Sequence, residues 1–563
     1  MYGGLLAPFF VILFCLQSPG LHGPMYFDSG ARIGANASLF EQSGFVGVIR
    51  TFPQRPIPMI TFFVNYRLTG MDPFFFRIVN MVLLSLLSVL VAILMRITLE
   101  LPGPLRGVGQ VEKYGMSLFV GIIFLVHPVQ IYLTLYIWQR MTILAYLFYL
   151  ASVISYLSVR MRFVSSWLGY SLLLVFFVAA LLSKENAVTL PVILALFELS
   201  FFWKSRKDFF CRAVLLGLIL AATVGVVSCL QHPHGHAQDS AGILSTIREY
   251  YKESGLSLKE VVLTQSRVIL KYLAVIAIPT RSEAQLVAPQ IISSSLLDPP
   301  ITLAAVAAAA GVALLGIRLL FIRPLSGIGI LFFLINVLPD CLLVPQYAFF
   351  GYRPVLGIVG LGFLVSDCIV QALSRVNDPI RRRYVRLGLT VLGAAYCVFL
   401  GSQTVEMADL WADKVRLLKG AVAAFPWDAQ KWEQKTGSLI LHALGSELAQ
   451  QGRLIEAREY LHLALELHPG HPVVLTSLAS ICREGGNVAG AEAYLEKAVQ
   501  NPVAFPRAYS DLGLLKLDLG KADDAIRYLE IAFKLTPHDQ RVVRALQTLR
   551  RGQERGPEHR RSP

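Results

Sequence analysis

The stretch VRLGLTVLGAAYCVFLGS at 385–402 runs directly into QTVEMADLWADKVRLLKG at 403–420. The first is apolar apart from Arg386 near its start; the second interleaves charged and apolar residues at helical spacing. A chain that changes character this abruptly is changing solvent, from hydrocarbon to water. Working outward, residues 1–403 read as a polytopic membrane domain and everything after as a water-soluble helical array. The expected divisions are a linker with half a repeat at 404–437, three repeats at 438–539, and a capping helix with a disordered tail at 540–563.

Composition agrees. With 55% hydrophobic and 16% charged residues and a mean hydropathy of +0.57, the chain is too apolar for an ordinary soluble protein. The formal charge of +14 lies largely in short loops between apolar segments, where it reports orientation and gives no reason to expect nucleic acid. Seven scattered cysteines, without CxxC or Cys/His spacing, imply neither a zinc site nor a disulfide framework.

Spans are expected at 1–17, 78–96, 114–134, 141–159, 164–183, 187–203, 213–230, 301–320, 325–345, 353–373 and 385–402. The first resembles a signal-peptide core but lacks a basic region before it, so it is read as a span, with a native start upstream of Met1 left open. A further apolar stretch, 261–279, is interrupted by Arg267 and Lys271 and is expected to be re-entrant or interfacial. Arg96, Arg106 and Lys113, then Arg160 and Arg162, then Lys204, Arg206, Lys207 and Arg212 fall on one side, the cytoplasm by the positive-inside rule. Arg318, Arg323 and the run from Arg375 to Arg386 join them if 231–300 stays outside. The long loops and the repeats then share the opposite face.

The repeats have a countable period. Gly445, Ala479 and Gly513 are spaced by 34, as are Ala457, Ala491 and Ala525, then Leu461, Leu495 and Leu529, then Ala464, Ala498 and Ala532. That is the period of the tetratricopeptide repeat, a helical hairpin whose small residues let two helices approach. The units are 438–471, 472–505 and 506–539, with a half unit before them carrying Trp411, Ala421 and Pro426. Such arrays hold a peptide or protein in a groove.

Chemistry is expected in the outer loops, where ionisable residues at span ends are costly to place. Asp28, in FDSGARI, is suited to take a proton from a hydroxyl, or simply caps a turn. His127, Gln139 and Arg140 flank a short loop, where His127-Pro128 also reads as a helix-ending turn and Arg140 as a headgroup anchor. Lys184 and Glu185, in LLSKENAVTLP, sit where the positive-inside rule gives no reason for a lysine. Arg353, in GYRPVLG, is suited to bidentate contact with a phosphate or to anchoring a span.

Together the succession FDSG, RPIPMITFFVNYRLTG with FFFRIVN, FLVHPV, WQRMTILAYLFYL, SKENAVTLP and GYRPVLG, followed by 34-residue repeats, resembles the transmembrane and tetratricopeptide repeat O-mannosyltransferase family and its bacterial relatives. The resemblance covers nearly the whole chain. It implies an all-α GT-C fold, with about eleven spans followed by a tetratricopeptide solenoid, and transfer of a sugar from a polyprenyl-phosphate donor to a protein acceptor outside the cytoplasm. Asp28, His127, Pro128, Arg140, Lys184 and Glu185 match the family's acidic, His-Pro, Arg and Lys-Glu positions. Two positions depart from the family: Ser29 follows Asp28 where many members have a second acid, and Arg77 stands where relatives often place histidine. No metal is therefore expected.

The implied mechanism is a single inverting displacement by a Ser/Thr hydroxyl. Asp28 acts as base, Glu185 assists, Arg140, Lys184 and Arg353 hold the donor phosphate, and His127 and Gln139 position the groups. The expected partners are the lipid-linked donor, membrane lipids and an acceptor protein held by repeats 438–539. A membrane-anchored repeat scaffold without catalysis is the alternative reading, and a lipid-linked sugar ligase or transporter a third. Compact loops point to a bacterial inner membrane with periplasmic repeats; Asn36-Ala37-Ser38 would suit an ER lumen.

Overall fold

The computed structural model describes residues 2–26, 29–34, 36–42, 44–102, 109–203, 217, 225, 251, 255–279, 291–343, 349–423, 425, 431–501, 505–536 and 539–554. Among these every extended element is helical, and the chain forms two compact units, Met1–Lys414 and Val415–Pro563.

The first unit contains α1 (Leu6–Gln17), the short α2 (Ala37–Gln42) and α3 (Phe45–Thr51), α4 (Pro56–Thr69), α5 (Pro73–Thr98), α6 (Gln110–Val126), α7 (Ile131–Thr134), α8 (Arg140–Arg160), α9 (Ser166–Leu181) and α10 (Leu190–Phe197). It continues with α11 (Leu258–Ala277), α12 (Ile301–Ile322), α13 (Pro324–Leu343), α14 (Gly357–Ser374) and α15 (Pro379–Leu410). Local chemistry sets several starts. Asp72 accepts from the Phe74 N–H ahead of α5, and Asp378 from Ile380 and Arg381 ahead of α15, each followed by a proline at the first helical position.

Among the described residues eight helices are long and apolar enough to cross a membrane, or nine if the bent pair α6–α7 is one span. Of the eleven expected spans, 164–183 corresponds to α9, an apolar helix of only 16 residues, and 213–230 lies outside the described residues except for 217 and 225. The stretch 114–134, expected to be one span, bends by 54° within its length. Pro128 lacks an N–H and pushes the preceding residue out of the helical region, and His127 is extended at φ −67°, ψ 130°.

The unit has two chemically distinct ends. One gathers the start of α5, the α6–α8 connection, the α9–α10 connection and the segment before α14. The other is basic: Lys113 and Arg96 meet Glu100, Arg160 meets Glu198 at 2.9 Å, and Glu112 faces Arg382 and Arg386. Helix α11 lies across the first end. Thr264 and Arg267 are tied to Ser293, which bonds Thr302 at the start of α12, while the carbonyl of Ile276 meets His127. The helix is thus tied to the start of α12, to the α6–α7 break and, through Tyr396, to the middle of α15.

The second unit stacks helical hairpins: α17 (Lys431–Gln450) with α18 (Leu454–Leu467), α19 (Pro472–Glu484) with α20 (Val488–Val499), and α21 (Pro506–Asp518) with α22 (Ala522–Leu535), closed by α23 (Gln540–Glu554). The Ala and Leu columns are buried throughout. Gly445 and Gly513 face Leu461 and Leu529 so closely that an added Cβ would lie 2.7 Å from their Cγ atoms. A helix at Lys414–Ala423, α16, puts Val415 and Leu418 into the core of the first hairpin. Trp411, expected to belong to that half unit, instead lies in the first unit. Its indole is edge-on to Tyr26 and Tyr132, at 4.8 and 6.0 Å, where two buried tyrosines offer a better apolar slot than a solvated linker.

Candidate functional site

At the loop-rich end of the membrane unit the fold assembles a polar recess from four connections. Lys184, buried where α9 gives way to α10, donates to Thr142 Oγ1 at 3.2 Å and places its ammonium 4.8 Å from the centre of the Tyr352 ring. Thr142 in turn donates to Gln139 Oε1 at 2.6 Å. Glu185 receives Arg55 Nη2 at 2.8 and 3.0 Å; these two side chains remain 56% and 34% exposed. Asn186 donates to Asp340, and Thr189 bonds Asn336 at 2.9 Å and the Tyr149 hydroxyl at 3.2 Å. Lys184 also feels the charges of Asp340, Glu185, Arg55 and Arg353. Among the described residues, three cations, Lys184, Arg55 and Arg353, therefore face two carboxylates, Glu185 and Asp340.

Arg353 is buried beside this group, with Phe350 5.2 Å from its guanidinium carbon and Tyr272, Cys341, Asp340 and Tyr352 as electrostatic neighbours. Asp28 lies outside the described residues. The next residue, Ser29, accepts from the Trp138 N–H at 3.1 Å, one position before Gln139. Of the expected set, Lys184, Glu185, Gln139 and Arg353 thus fall into one neighbourhood.

His127 and Arg140 are committed elsewhere. His127 is fully buried; its Nδ1 accepts from the Val129 N–H at 3.3 Å, which puts the proton on Nε2 facing the Ile276 carbonyl at 3.0 Å. Both ring nitrogens are used in capping the broken helix and seating α11. Arg140, expected to hold a donor phosphate, gives Nε to Asn80 at 2.7 Å, Nη1 to the Thr61 carbonyl at 3.1 Å, and Nη2 to Asn65 and the Phe76 carbonyl at 2.8 and 2.9 Å. Phe62 covers its face at 4.6 Å. With no exposed surface and its donors aimed at protein, it ties α4 to α5 and α8.

Arg77, the departure from the family pattern, is likewise fully buried. It donates to the carbonyls of Leu21, Gly23, Pro24 and Leu135, lashing the loop that leads to Asp28 onto α5. The Tyr26 hydroxyl, bonded to the Trp411 carbonyl, fixes the same loop from its other side. Among the described residues no group of three His, Cys, Asp or Glu side chains is arranged to hold a metal ion.

Sequence reasoning missed Arg55, Thr142, Asn186 and Asp340. Arg55 carries the signal that singled out Lys184, a cation on the side where orientation does not ask for one, and Asp340 is an acid inside the apolar run of α13. Thr142 and Asn186 have no such signal.

Two models of the tetratricopeptide repeat match residues 448–512 and 506–539. A human relative, Protein O-mannosyl-transferase TMTC1, is 25% identical over 467 residues, or 76% of this chain; the chain spans about half, 50%, of that relative's length. Among solved structures, the first tetratricopeptide domain of Spaghetti (RPAP3) bound to the HSP90 peptide SRMEEVD is 24% identical and aligns at a TM-score of 0.21, covering 21% of this chain and 95% of that one. The APC/C hetero-tetramer Cut9-Hcn1 aligns at 0.22 with 15% identity, covering 93% and 88%. Apolar helices, matched repeats and an extended relative together make this chain a membrane protein with tetratricopeptide repeats, similar to the transmembrane and tetratricopeptide repeat O-mannosyltransferases.

Proposed function

We propose that the protein is a membrane O-glycosyltransferase, taking a sugar from a polyprenyl-phosphate donor and delivering it with inversion to a Ser/Thr hydroxyl of a protein on the non-cytoplasmic face. The observation that carries this reading is the convergence of Lys184, Arg55 and Arg353 on one recess beside Glu185 and Asp340, at the end where the Asp28 loop docks through Ser29. A departing lipid phosphate needs cations in a site of low dielectric, and preorganised donors of this kind contribute about 3 kcal/mol each. The Arg55–Glu185 pair is partly exposed and worth only about 1 kcal/mol or less, so a phosphate can compete for Arg55 at small cost. Asp28 serves as base for the acceptor hydroxyl, and Gln139 and Thr142 hold the Lys184 ammonium in place. The repeats present the acceptor, in a periplasm or an ER lumen.

The test is a purified, lipid-reconstituted protein given a panel of polyprenyl-phosphate sugars and an acceptor peptide. Donor consumption with transfer is expected, and Asp28→Asn abolishes transfer while donor binding survives. If the intact protein consumes no donor, it is a scaffold in which the repeats alone act.

A further inference from the structure

The basic end of the membrane unit, remote from the recess above, contains a crevice of about 300 Å³ between α6, α14 and α15. Its walls are apolar, chiefly Val111, Met116, Phe119, Ile369, Leu373 and Leu389, and its polar rim is Glu112 and Arg386. Along α6 the wall runs from Val111 to Phe119, about 12 Å of helix, and along α15 from Arg386 to Gly393, about 10 Å. The crevice is therefore charged at the membrane surface and apolar along the direction of a lipid tail.

The charge at its mouth is unusual. Arg381, Arg382, Arg383 and Arg386 occupy the first turns of α15, the end of a helix where cations are disfavoured by its dipole. Glu112 faces two of them, Arg386 at 3.2 Å and Arg382 at 3.6 Å, so one carboxylate is shared between two guanidinium groups. Arg386 and Arg382 remain 54% and 34% exposed, leaving donors for an outside anion. The positive-inside rule accounts for basic residues at this end but not for an apolar slot opening beneath them. Anionic headgroups are enriched at a cytoplasmic surface, where basic residues attract them.

We propose that this crevice is a binding site for an anionic glycerophospholipid of the membrane, one acyl chain lying along Met116, Phe119 and Leu389 and the phosphate resting on Arg382 and Arg386. The site does not depend on the transferase reading and shares no residue with the recess at the other end.

Purified full-length protein in a neutral detergent, titrated with phosphatidylglycerol or phosphatidylcholine and followed by thermal melting and native mass spectrometry, tests it. Phosphatidylglycerol is expected to be retained at one molecule per chain and to raise Tm, with phosphatidylcholine at least tenfold weaker. Three variants separate charge from shape. Glu112→Gln keeps the cap on the Gly109 N–H while removing the competing carboxylate, and tightens phosphatidylglycerol binding several-fold; Leu389→Trp fills the slot and weakens it about tenfold with the arginines intact. Arg382→Gln with Arg386→Gln removes the preference for the anionic lipid. Equal retention of both lipids, saturation by glycerol phosphate alone, or indifference to both Glu112→Gln and Leu389→Trp would overturn the proposal.

Discussion

One buried arginine and one buried lysine at the same end of the membrane unit, Arg140 and Lys184, show how little a residue type says about its task. Arg140 spends its donors on Asn80, Asn65 and two backbone carbonyls, so Arg140→Ala leaves several buried acceptors unpaired and should cost at least about 3 kcal/mol, seen as a large fall in Tm in detergent. Among the described residues Lys184 donates to Thr142 and lies against the Tyr352 ring. Lys184→Met keeps the stem, should leave Tm within a few degrees, and should lower donor turnover about a hundredfold. If Arg140→Ala melted normally but lost donor binding, the assignments of the two residues would be reversed. Both were visible in the sequence as ionisable residues at span ends. What separates them, saturation of Arg140 by groups 60 to 79 positions away, is tertiary and leaves no local mark. Lys184, Glu185 and Gln139 could be chosen because they flank short loops that topology forces together; Arg55 and Asp340 carry the same kind of signal, one among basic loop residues and one within an apolar run.

At the scale of elements the repeat helices were legible because a period of 34 needs no tertiary knowledge, and the helical breaks fall where prolines and glycines put them. Ala491 is 1% exposed against its partner helix, so Ala491→Leu should cost about 1 to 3 kcal/mol by overpacking, measured as lost hydrogen-exchange protection across 472–499 of the full chain. Acid should weaken the same region. Burial, together with the nearby charges of His471 and Arg507, lowers the His442 pKa to about 4, and burial next to His468 lowers His471 to about 4, each from an ordinary 6.5. The fold holds both rings neutral, so the unfolded chain binds more protons between those values. Stability is complete above pH 6.5 and is lost as pH falls toward 4, and His442→Gln should flatten the dependence. The His442 Nε2 contacts with Ser477 at 2.9 Å and Ser446 at 3.1 Å are the bonds an imidazolium would have to rearrange. The bend at His127-Pro128 was readable as a turn signal, yet the length of the apolar run outweighed it; the way α11 is tied at both halves was decided by partners distant in sequence.

For the whole molecule, alternation of the helices puts the start of α5, the α6–α8 connection and the α9–α10 connection at one end and the basic residues at the other. Single cysteines placed at His22, Glu185 and Tyr352 should react with an impermeant reagent from one side of sealed vesicles, and one at Phe163 only from the other; labelling of all four from one side would refute the arrangement. The brevity of α9 has a further consequence for the bilayer itself. Sixteen residues rise only about 24 Å, against a hydrocarbon thickness near 30 Å, and Trp167, Tyr170, Leu174 and Val175 on this helix are exposed. Thinning of the lipid beside it is one way to match, and the helix that would impose this leads, three residues after its end, to Lys184. Hydrophobic mismatch would then draw the headgroup plane down toward the recess, so that the polyprenyl phosphate proposed as donor would meet the ammonium without leaving its own depth. Turnover in vesicles should fall as acyl chains lengthen beyond the thickness α9 can match, while Tm changes little: the membrane becomes part of the substrate's approach.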